Sequence, residues 1–224
     1  SSELVTLVTA IKKYAPKDAV ILSWWDISRQ IGLLTGRDTL FPSHHGEPVI
    51  IPSHWRERSE AIKNYEEEFW GAPAPAEERR KLQRFADALV ADVDKGSEIL
   101  RELAGSREAY VVLHVSDLYK LGLMRPKSLD LAYKDFPMNS ANMHGLVNTV
   151  KRFKVENNYT TYTLQSLGDR AVRGYFLSDG QDTLLAQMLP FTETRPLELT
   201  KIQLIYQHGG YWVYKIPPVA PPAG

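Results

Sequence analysis

The hydrophobic pattern of the chain changes period near its middle. In the first half, residues 4–14 and 77–95 carry apolar side chains at helical spacing, while 19–22 and 109–114 are short apolar runs typical of buried strands. In the second half, apolar and polar residues alternate, as they do in half-buried antiparallel strands. The alternating segments are 159–164, 172–177, 183–189, 202–206 and 211–216, with a hairpin turn at 208–210.

Shorter signals complete the predicted element order. They indicate a helix at 28–34 that ends before Gly36, a strand at 49–51, a helix at 53–70, a short helix capped by Ser116 and Asp117, and a helix at 140–153. A second helix at 98–103 follows the long one at 77–95.

These elements predict an α/β fold with an α+β tendency. The expected architecture is a single mixed β-sheet flanked by helices, with a β-rich C-terminal half. Residues 1–216 are predicted to form one domain with a helical insertion at about 54–105, followed by a Pro-rich tail at 217–224.

Charge and cysteine content narrow the classes of function. The 224 residues include 27 basic and 27 acidic side chains, so the net charge is zero and a broad nucleic-acid-binding surface is not expected. The sequence contains no cysteine, which excludes disulfides, thiolate metal sites and a cysteine nucleophile. A cysteine-free chain fits an oxidising compartment such as a bacterial periplasm.

The most informative motif is Trp24-Trp25-Asp26, between the apolar run 19–22 and the helix at 28–34. Ligands of open α/β sheets bind at the carboxyl ends of strands, where the chain turns into a helix. One interpretation is a polar binding pocket under the two indoles, formed with Arg29, Arg37 and Asp38. The other is that both indoles are core anchors and Asp26 caps the following helix.

Three histidines raise the question of a metal site. His44 and His45 are adjacent, and His54 follows them. Adjacent histidines in a strand point to opposite faces, and no acidic residue or further histidine stands at a standard motif spacing. The surrounding prolines and glycine indicate a loop. We therefore predict no metal site, and no motif predicts a cofactor.

Aromatic residues crowd the predicted helix at 53–70. They are either the inner face of that helix or a partner-binding surface, because Trp and Tyr dominate the energetic centres of protein interfaces. The residues concerned are Trp55, Tyr65, Phe69 and Trp70.

The Trp24-Trp25-Asp26 segment resembles the Trp-Trp-Asp-Tyr-Gly signature of oligosaccharyltransferase catalytic subunits. In that family the motif lies in the soluble domain and holds the acceptor Ser or Thr of a peptide. Ile27 and Ser28 stand here in place of the Tyr and Gly. The family's catalytic carboxylates and metal ligands lie in a membrane portion outside this chain, so the resemblance implies the fold rather than glycosyl transfer.

Residues 21–31, 34–39 and the segment up to Pro48 also resemble the HaoB family of nitrification-associated proteins, as does the aromatic ending Phe69-Trp70. This resemblance implies a periplasmic domain behind an N-terminal membrane anchor outside this chain. It further implies an association with hydroxylamine oxidation, with hydroxylamine oxidoreductase as partner. The absence of cysteine and of cofactor motifs favours an accessory protein without its own catalysis. The alternative is a peptide- or saccharide-binding domain, or an enzyme that uses Asp26 with Arg29 or Arg37.

Overall fold

A computed structural model describes residues 2–42, 76–138, 141, 143–192 and 202–219 of the protein. Within these ranges the chain forms seven helices and eight strands. The helices are α1 (Ser2–Tyr14), α2 (Trp25–Thr35), α3 (Ala76–Val90), α4 (Val93–Ala104), α5 (Asp117–Met124), α6 (Met143–Glu156) and α7 (Leu184–Met188). The strands are β1 (Val20–Leu22), β2 (Asp38–Thr39), β3 (Ala109–His114), β4 (Asp130–Pro137), β5 (Thr161–Leu167), β6 (Ala171–Asp179), β7 (Gln203–His208) and β8 (Tyr211–Ile216).

The strands divide between two sheets rather than joining the single sheet expected from the sequence. The larger sheet is mixed and has the order β2-β1-β3-β8-β7, with β1 parallel to both β2 and β3 and with β8 antiparallel to β3. The smaller sheet has the order β4-β6-β5 and is antiparallel throughout. The α/β class with its mixed sheet and β-rich C-terminal half is confirmed.

The central strand β3 shows how the larger sheet holds its two cores. Successive side chains of a strand point to opposite faces. Tyr110 and Val112 accordingly pack with Leu7 and Ile11 of α1. Val111 and Leu113 lie on the other face, in the core that contains Phe85 of α3. Helices therefore cover both faces, and this explains why the parallel strands read as continuous apolar runs.

The predicted helix at 77–95 is in fact two helices. Asp92 is the N-cap of α4, and its carboxylate accepts a hydrogen bond of 2.8 Å from the backbone N–H of Lys95. A side chain at Gly96 would place its Cβ 2.5 Å from the carbonyl oxygen of Ala88, so glycine allows the two helices to pack closely. The apolar stripe continues from one helix into the other, so the sequence pattern gives no sign of the break between them.

One predicted strand is wrong, and one strand of the structure has no counterpart among the predicted strands. Residues 183–189 were expected to be a strand but form helix α7, with Thr183 as a side-chain N-cap for the N–H of Ala186. Leu184, Leu185 and Ala186 are all buried. This short helix is therefore buried on several sides, whereas a half-exposed strand would bury only every second side chain. Strand β4 was not predicted, because most of its side chains are exposed or half-buried and give little apolar signal.

Several element boundaries also shift. Helix α2 begins at Trp25 rather than at residue 28, and α6 spans Met143–Glu156 rather than 140–153. The predicted strand at 49–51 and the predicted helix at 53–70 lie outside the described residues. Within the described ranges, no helix combines the length and the apolar character that crossing a membrane requires.

Candidate functional site

The Trp-Trp-Asp segment lies where the sequence places it, directly after the carboxyl end of β1. Trp24 is the N-cap residue of α2, and Trp25 and Asp26 begin its first turn. The buried hydroxyl of Ser28 donates a hydrogen bond of 3.0 Å to the carbonyl oxygen of Trp24 and lies 2.7 Å from the hydroxyl of Ser23. These bonds fix the turn from strand to helix, and with it the directions of the two indoles and the carboxylate.

The two tryptophans occupy different environments. Trp24 is fully buried and packs edge-to-face against Phe85, with ring centroids 5.2 Å apart, so it belongs to the core. Its indole N–H has no acceptor within the described parts of the chain. Trp25 is only partly buried and meets the ring of Trp24 edge-to-face at 5.8 Å. Of the two indoles, Trp25 is the one within reach of a ligand or partner.

Asp26 forms an ion pair. Its carboxylate accepts a hydrogen bond of 2.5 Å from the ammonium of Lys120, and 40% of its side chain is exposed. The N-cap position of α2 belongs to Trp24, which makes no side-chain cap bond. A carboxylate in the first turn is also favoured by the helix dipole.

Lys120 holds a second carboxylate. Its ammonium donates a hydrogen bond of 3.0 Å to Asp117, whose side chain is only 2% exposed. Burial raises the pKa of Asp117 to about 6, although Lys120 and the N–H of His114 pull in the opposite direction. Burial lowers the pKa of Lys120, but the charges of Asp117 and Asp26 outweigh it and raise that pKa overall.

The same ammonium lies over both indoles. It is 5.7 Å from the ring centroid of Trp25 and 6.0 Å from that of Trp24, within the range of a cation–π interaction. Lys120 therefore connects the segment after β1 to the helix after β3. We call the set formed by Trp24, Trp25, Asp26, Asp117 and Lys120 the Lys120 cluster.

His114 borders this cluster at the end of β3. Its backbone N–H donates a hydrogen bond of 2.8 Å to Asp117, and its ring packs edge-to-face on Tyr211 with centroids 4.7 Å apart. Burial is the main cause of a lowered pKa for its imidazole. The predicted side-chain cap is not formed. Ser116 is the N-cap residue but makes no side-chain cap bond, and the carboxylate of Asp117 accepts the N–H of His114 in β3.

The structure does not bring Arg37 and Asp38 to this site. The guanidinium of Arg37 donates hydrogen bonds to the carbonyl oxygens of Thr35 (2.5 Å) and Ala15 (2.7 Å). Asp38 forms an ion pair of 3.0 Å with Arg107. Asp38 is paired with Val20, the first residue of β1, so both residues lie at the amino end of the parallel strands. Arg29 is exposed on α2.

Sequence reasoning missed the roles of Lys120, Asp117 and His114. A usable signal existed, because two apolar runs are each followed within a few residues by an acidic side chain, Asp26 and Asp117. If the two strands are parallel neighbours, those carboxylates meet at one edge of the sheet. The pairing of β1 with β3 provides that condition, and Lys120 provides the opposite charge between them.

The remaining sequence candidates lie outside the described residues. These are the aromatic residues Trp55, Tyr65, Phe69 and Trp70, and the histidines His44, His45 and His54. Among the described residues, no three His, Cys, Asp or Glu side chains lie close enough together to hold a metal ion.

The chain has a fold similar to that of a solved domain, the C. jejuni PglB C-terminal domain, with a TM-score of 0.54 and 10% identity over 95% of this chain and 99% of the other. The C-terminal globular domain of an oligosaccharyltransferase from Archaeoglobus fulgidus also matches, at a TM-score of 0.44 and 10% identity over 96% and 97% of the two chains. The match to the C. jejuni domain confirms, for the fold, the resemblance expected from the Trp-Trp-Asp segment.

The sequence family is more specific than the fold. The model of the family described as HaoA-associated protein HaoB matches residues 1–216, so the chain belongs to that family. No curated protein matches the chain. The second predicted resemblance is therefore confirmed, and the protein is associated with hydroxylamine oxidation.

Proposed function

We propose that this protein is an accessory protein of hydroxylamine oxidation that binds hydroxylamine oxidoreductase, HaoA, and performs no catalysis of its own. The observation that carries the proposal is the match to the HaoB family over residues 1–216, because the family description associates its members with HaoA. In the same proposal the domain works in the periplasm, behind a membrane anchor outside this chain, as the resemblance to that family implies.

We further propose that the exposed side of the Lys120 cluster contacts HaoA. Trp25 and Asp26 are accessible there. Tyr119 precedes Lys120 on α5 and is 46% exposed, and in this proposal it extends the contact surface. The ring of Tyr119 is held edge-to-face against Tyr133 at 5.6 Å. Rigid aromatic rings beside a charged group are typical of the residues that dominate binding energy at interfaces.

The ion pairs of the cluster favour binding over catalysis. A general base needs a carboxylate that is free to take a proton at the reacting atom. Asp26 and Asp117 instead share the ammonium of Lys120, at 2.5 Å and 3.0 Å. Asp117 is in addition only 2% exposed and accepts the backbone N–H of His114, so a substrate does not reach it.

The test is the affinity of the purified domain for HaoA at low and moderate salt, measured by calorimetry. We expect a Kd of about 1 μM or tighter. Asp26→Asn and Trp25→Ala should each weaken binding by about tenfold, or about 1.4 kcal/mol. Asp38→Asn is the matched control, since it makes the same change to an exposed ion-paired aspartate at the opposite end of the strands.

Three outcomes would contradict the proposal. Absence of binding at both salt concentrations would remove the role as a HaoA partner. Equal losses for Asp26→Asn and Asp38→Asn would remove the Lys120 cluster as the contact. Consumption of hydroxylamine by the domain alone would show that it is an enzyme.

A further inference from the structure

A polar cavity of about 320 Å³ is lined by His114, which borders the Lys120 cluster, and among the described lining residues there is no member of the cluster itself. It is enclosed by the start of α1, the end of β3, the middle of β5 and the β7–β8 hairpin. It therefore lies between the two sheets, at the edge where the parallel strands end. Ligand pockets typically have volumes of about 300–1,000 Å³, so the cavity has room for a small molecule.

The glycines of the β7–β8 hairpin open this cavity to two titratable side chains. A Cβ at Gly210 would lie 2.4 Å from Nε2 of His114, and a Cβ at Gly209 would lie 2.5 Å from a carboxylate oxygen of Glu3. Gly209 also has a positive φ of 57°, which side-chain-bearing residues rarely adopt. The turn thus leaves space for the imidazole of His114 and the carboxylate of Glu3, both of which line the cavity.

The hydrogen bonds of His114 assign its tautomer. Its Nδ1 accepts from the backbone N–H of Ser116 at 3.1 Å, and the hydroxyl of Ser116 is 2.6 Å from the same nitrogen. A ring nitrogen that accepts a backbone N–H carries no proton, so the proton of the neutral ring is on Nε2. His114 therefore presents an N–H donor beside Gly210.

Two glutamines on the cavity wall are oriented by their own bonds. The carbonyl oxygen of Gln165 accepts a hydrogen bond of 2.6 Å from the hydroxyl of Tyr175, which leaves its amide N–H groups as donors. The amide of Gln207 donates at 3.0 Å to the carbonyl of Gly209, which leaves its oxygen as an acceptor. With His114 and Glu3, the wall thus has donors and acceptors side by side.

Apolar groups complete the wall. Trp212 stands opposite Gln207 in the β7–β8 register, and Leu164 precedes Gln165 on β5; both line the cavity. The cavity therefore combines an indole and an aliphatic side chain with mixed hydrogen-bonding groups.

We propose that this cavity binds a small uncharged saccharide. Each sugar hydroxyl both donates and accepts, which matches the N–H of His114 and the carboxylate of Glu3, and the C–H face of the sugar ring suits Trp212. The carboxylate of Glu3 disfavours an anion, and a simple cation would leave the N–H donors of His114 and Gln165 without acceptors. The proposal is independent of HaoA binding.

The test is a titration of the ¹⁵N-labelled protein followed by NMR. The probes are methyl α-glucopyranoside and N-acetylglucosamine, with sodium acetate and methylammonium chloride as charged probes of similar or smaller size. We expect saturable shifts, in the millimolar range or tighter, only with a sugar. They should concentrate on the backbone amides of Gly209 and Gly210 and on the side-chain amides of Gln165 and Gln207.

Variants then assign the site. Glu3→Gln should weaken sugar binding by about tenfold, because it replaces a charged acceptor by a neutral one. Glu98→Gln, which lines a different groove on α4, is the matched control and should leave the affinity unchanged. The proposal is overturned if neither sugar gives saturable shifts, if a charged probe alone does, or if the two variants weaken binding equally.

Discussion

The two ends of the parallel strands use their charged side chains differently. At the amino end, arginines bind the backbone: Arg37 donates to the carbonyl oxygens of Ala15 and Thr35, and Arg107 donates to those of Asp18 and Ala19. The carbonyls of Ala15 and Thr35 lie where α1 and α2 end, and helix ends leave carbonyl groups without helical partners. Satisfying these carbonyl groups is a structural role, and it explains why arginines are found at this end.

Arg107 also forms an ion pair with the exposed Asp38 at the amino end, whereas at the carboxyl end the ion pairs include the buried carboxylate of Asp117. Lys120 joins Asp26 and Asp117 and lies over two indoles. Among the described hydrogen bonds of this triad, the bond from His114 to Asp117 is the one that involves the main chain. The bond to Asp117 satisfies one N–H at the end of β3, but it does not account for Lys120, Asp26 or the two indoles. A buried carboxylate beside exposed aromatic and charged groups is therefore better explained by a binding role, which is why we place the candidate site at this end.

The largest expected effect concerns Trp24, which anchors the carboxyl end. Trp24→Ala should lower the free energy of unfolding by about 3–5 kcal/mol, because it removes a fully buried indole that packs on Phe85 and Trp25. Urea denaturation measures the change. Trp24→Phe is the matched control: it keeps an aromatic ring and removes the unpaired N–H, so it should cost clearly less. Equal losses for the two variants would contradict this assignment.

The next effect depends on pH. Lys120→Met should destabilise the protein by about 3 kcal/mol at pH 7, because it leaves the buried charge of Asp117 without its partner. The loss should be smaller at pH 5. The pKa of Asp117 is raised to about 6 in the folded state, against about 3.9 when unfolded, so its contribution to stability falls as pH rises through that interval.

Removal of Lys120 should raise the pKa of Asp117 further, so at pH 5 the folded variant carries a neutral carboxyl and avoids most of the penalty. Denaturation at both pH values gives the difference. Lys95→Met is the control, since the Lys95–Glu98 pair is exposed and 4.0 Å apart, and it should change stability little at either pH. A loss for Lys120→Met that is larger at pH 5 would contradict the buried-charge explanation.

The smallest effect tests the amino end. Arg37→Met should cost about 1–2 kcal/mol through lost hydrogen bonds to carbonyl oxygens, and it should leave the affinity for HaoA unchanged. Asp38→Asn, which breaks an exposed ion pair, should cost less than about 1 kcal/mol. If Arg37→Met weakened HaoA binding as strongly as Asp26→Asn, the binding surface would lie at the amino end of the strands instead.

Local patterns predicted much of the fold. The apolar runs that became β1 and β3 and the alternating segments that became β5, β6, β7 and β8 were recognisable, because burial on two faces or one determines the period of apolar residues. The same reasoning failed for α7, whose side chains are buried on several sides, and for β4, whose side chains are mostly exposed. In both segments the burial of each side chain depends on the elements packed around it, and the local sequence does not contain that information.

The position of the Trp-Trp-Asp segment after a buried strand can be predicted from the sequence, because it depends on neighbours along the chain. Which charges meet at that segment depends instead on how the strands pair. Lys120 lies 94 residues from Asp26 and reaches it because β3 pairs in parallel with β1. Arg37 and Asp38, much closer in sequence, lie at the opposite edge because β2 also runs parallel to β1. Strand direction, which a local pattern does not encode, separates the site from its nearest charged neighbours.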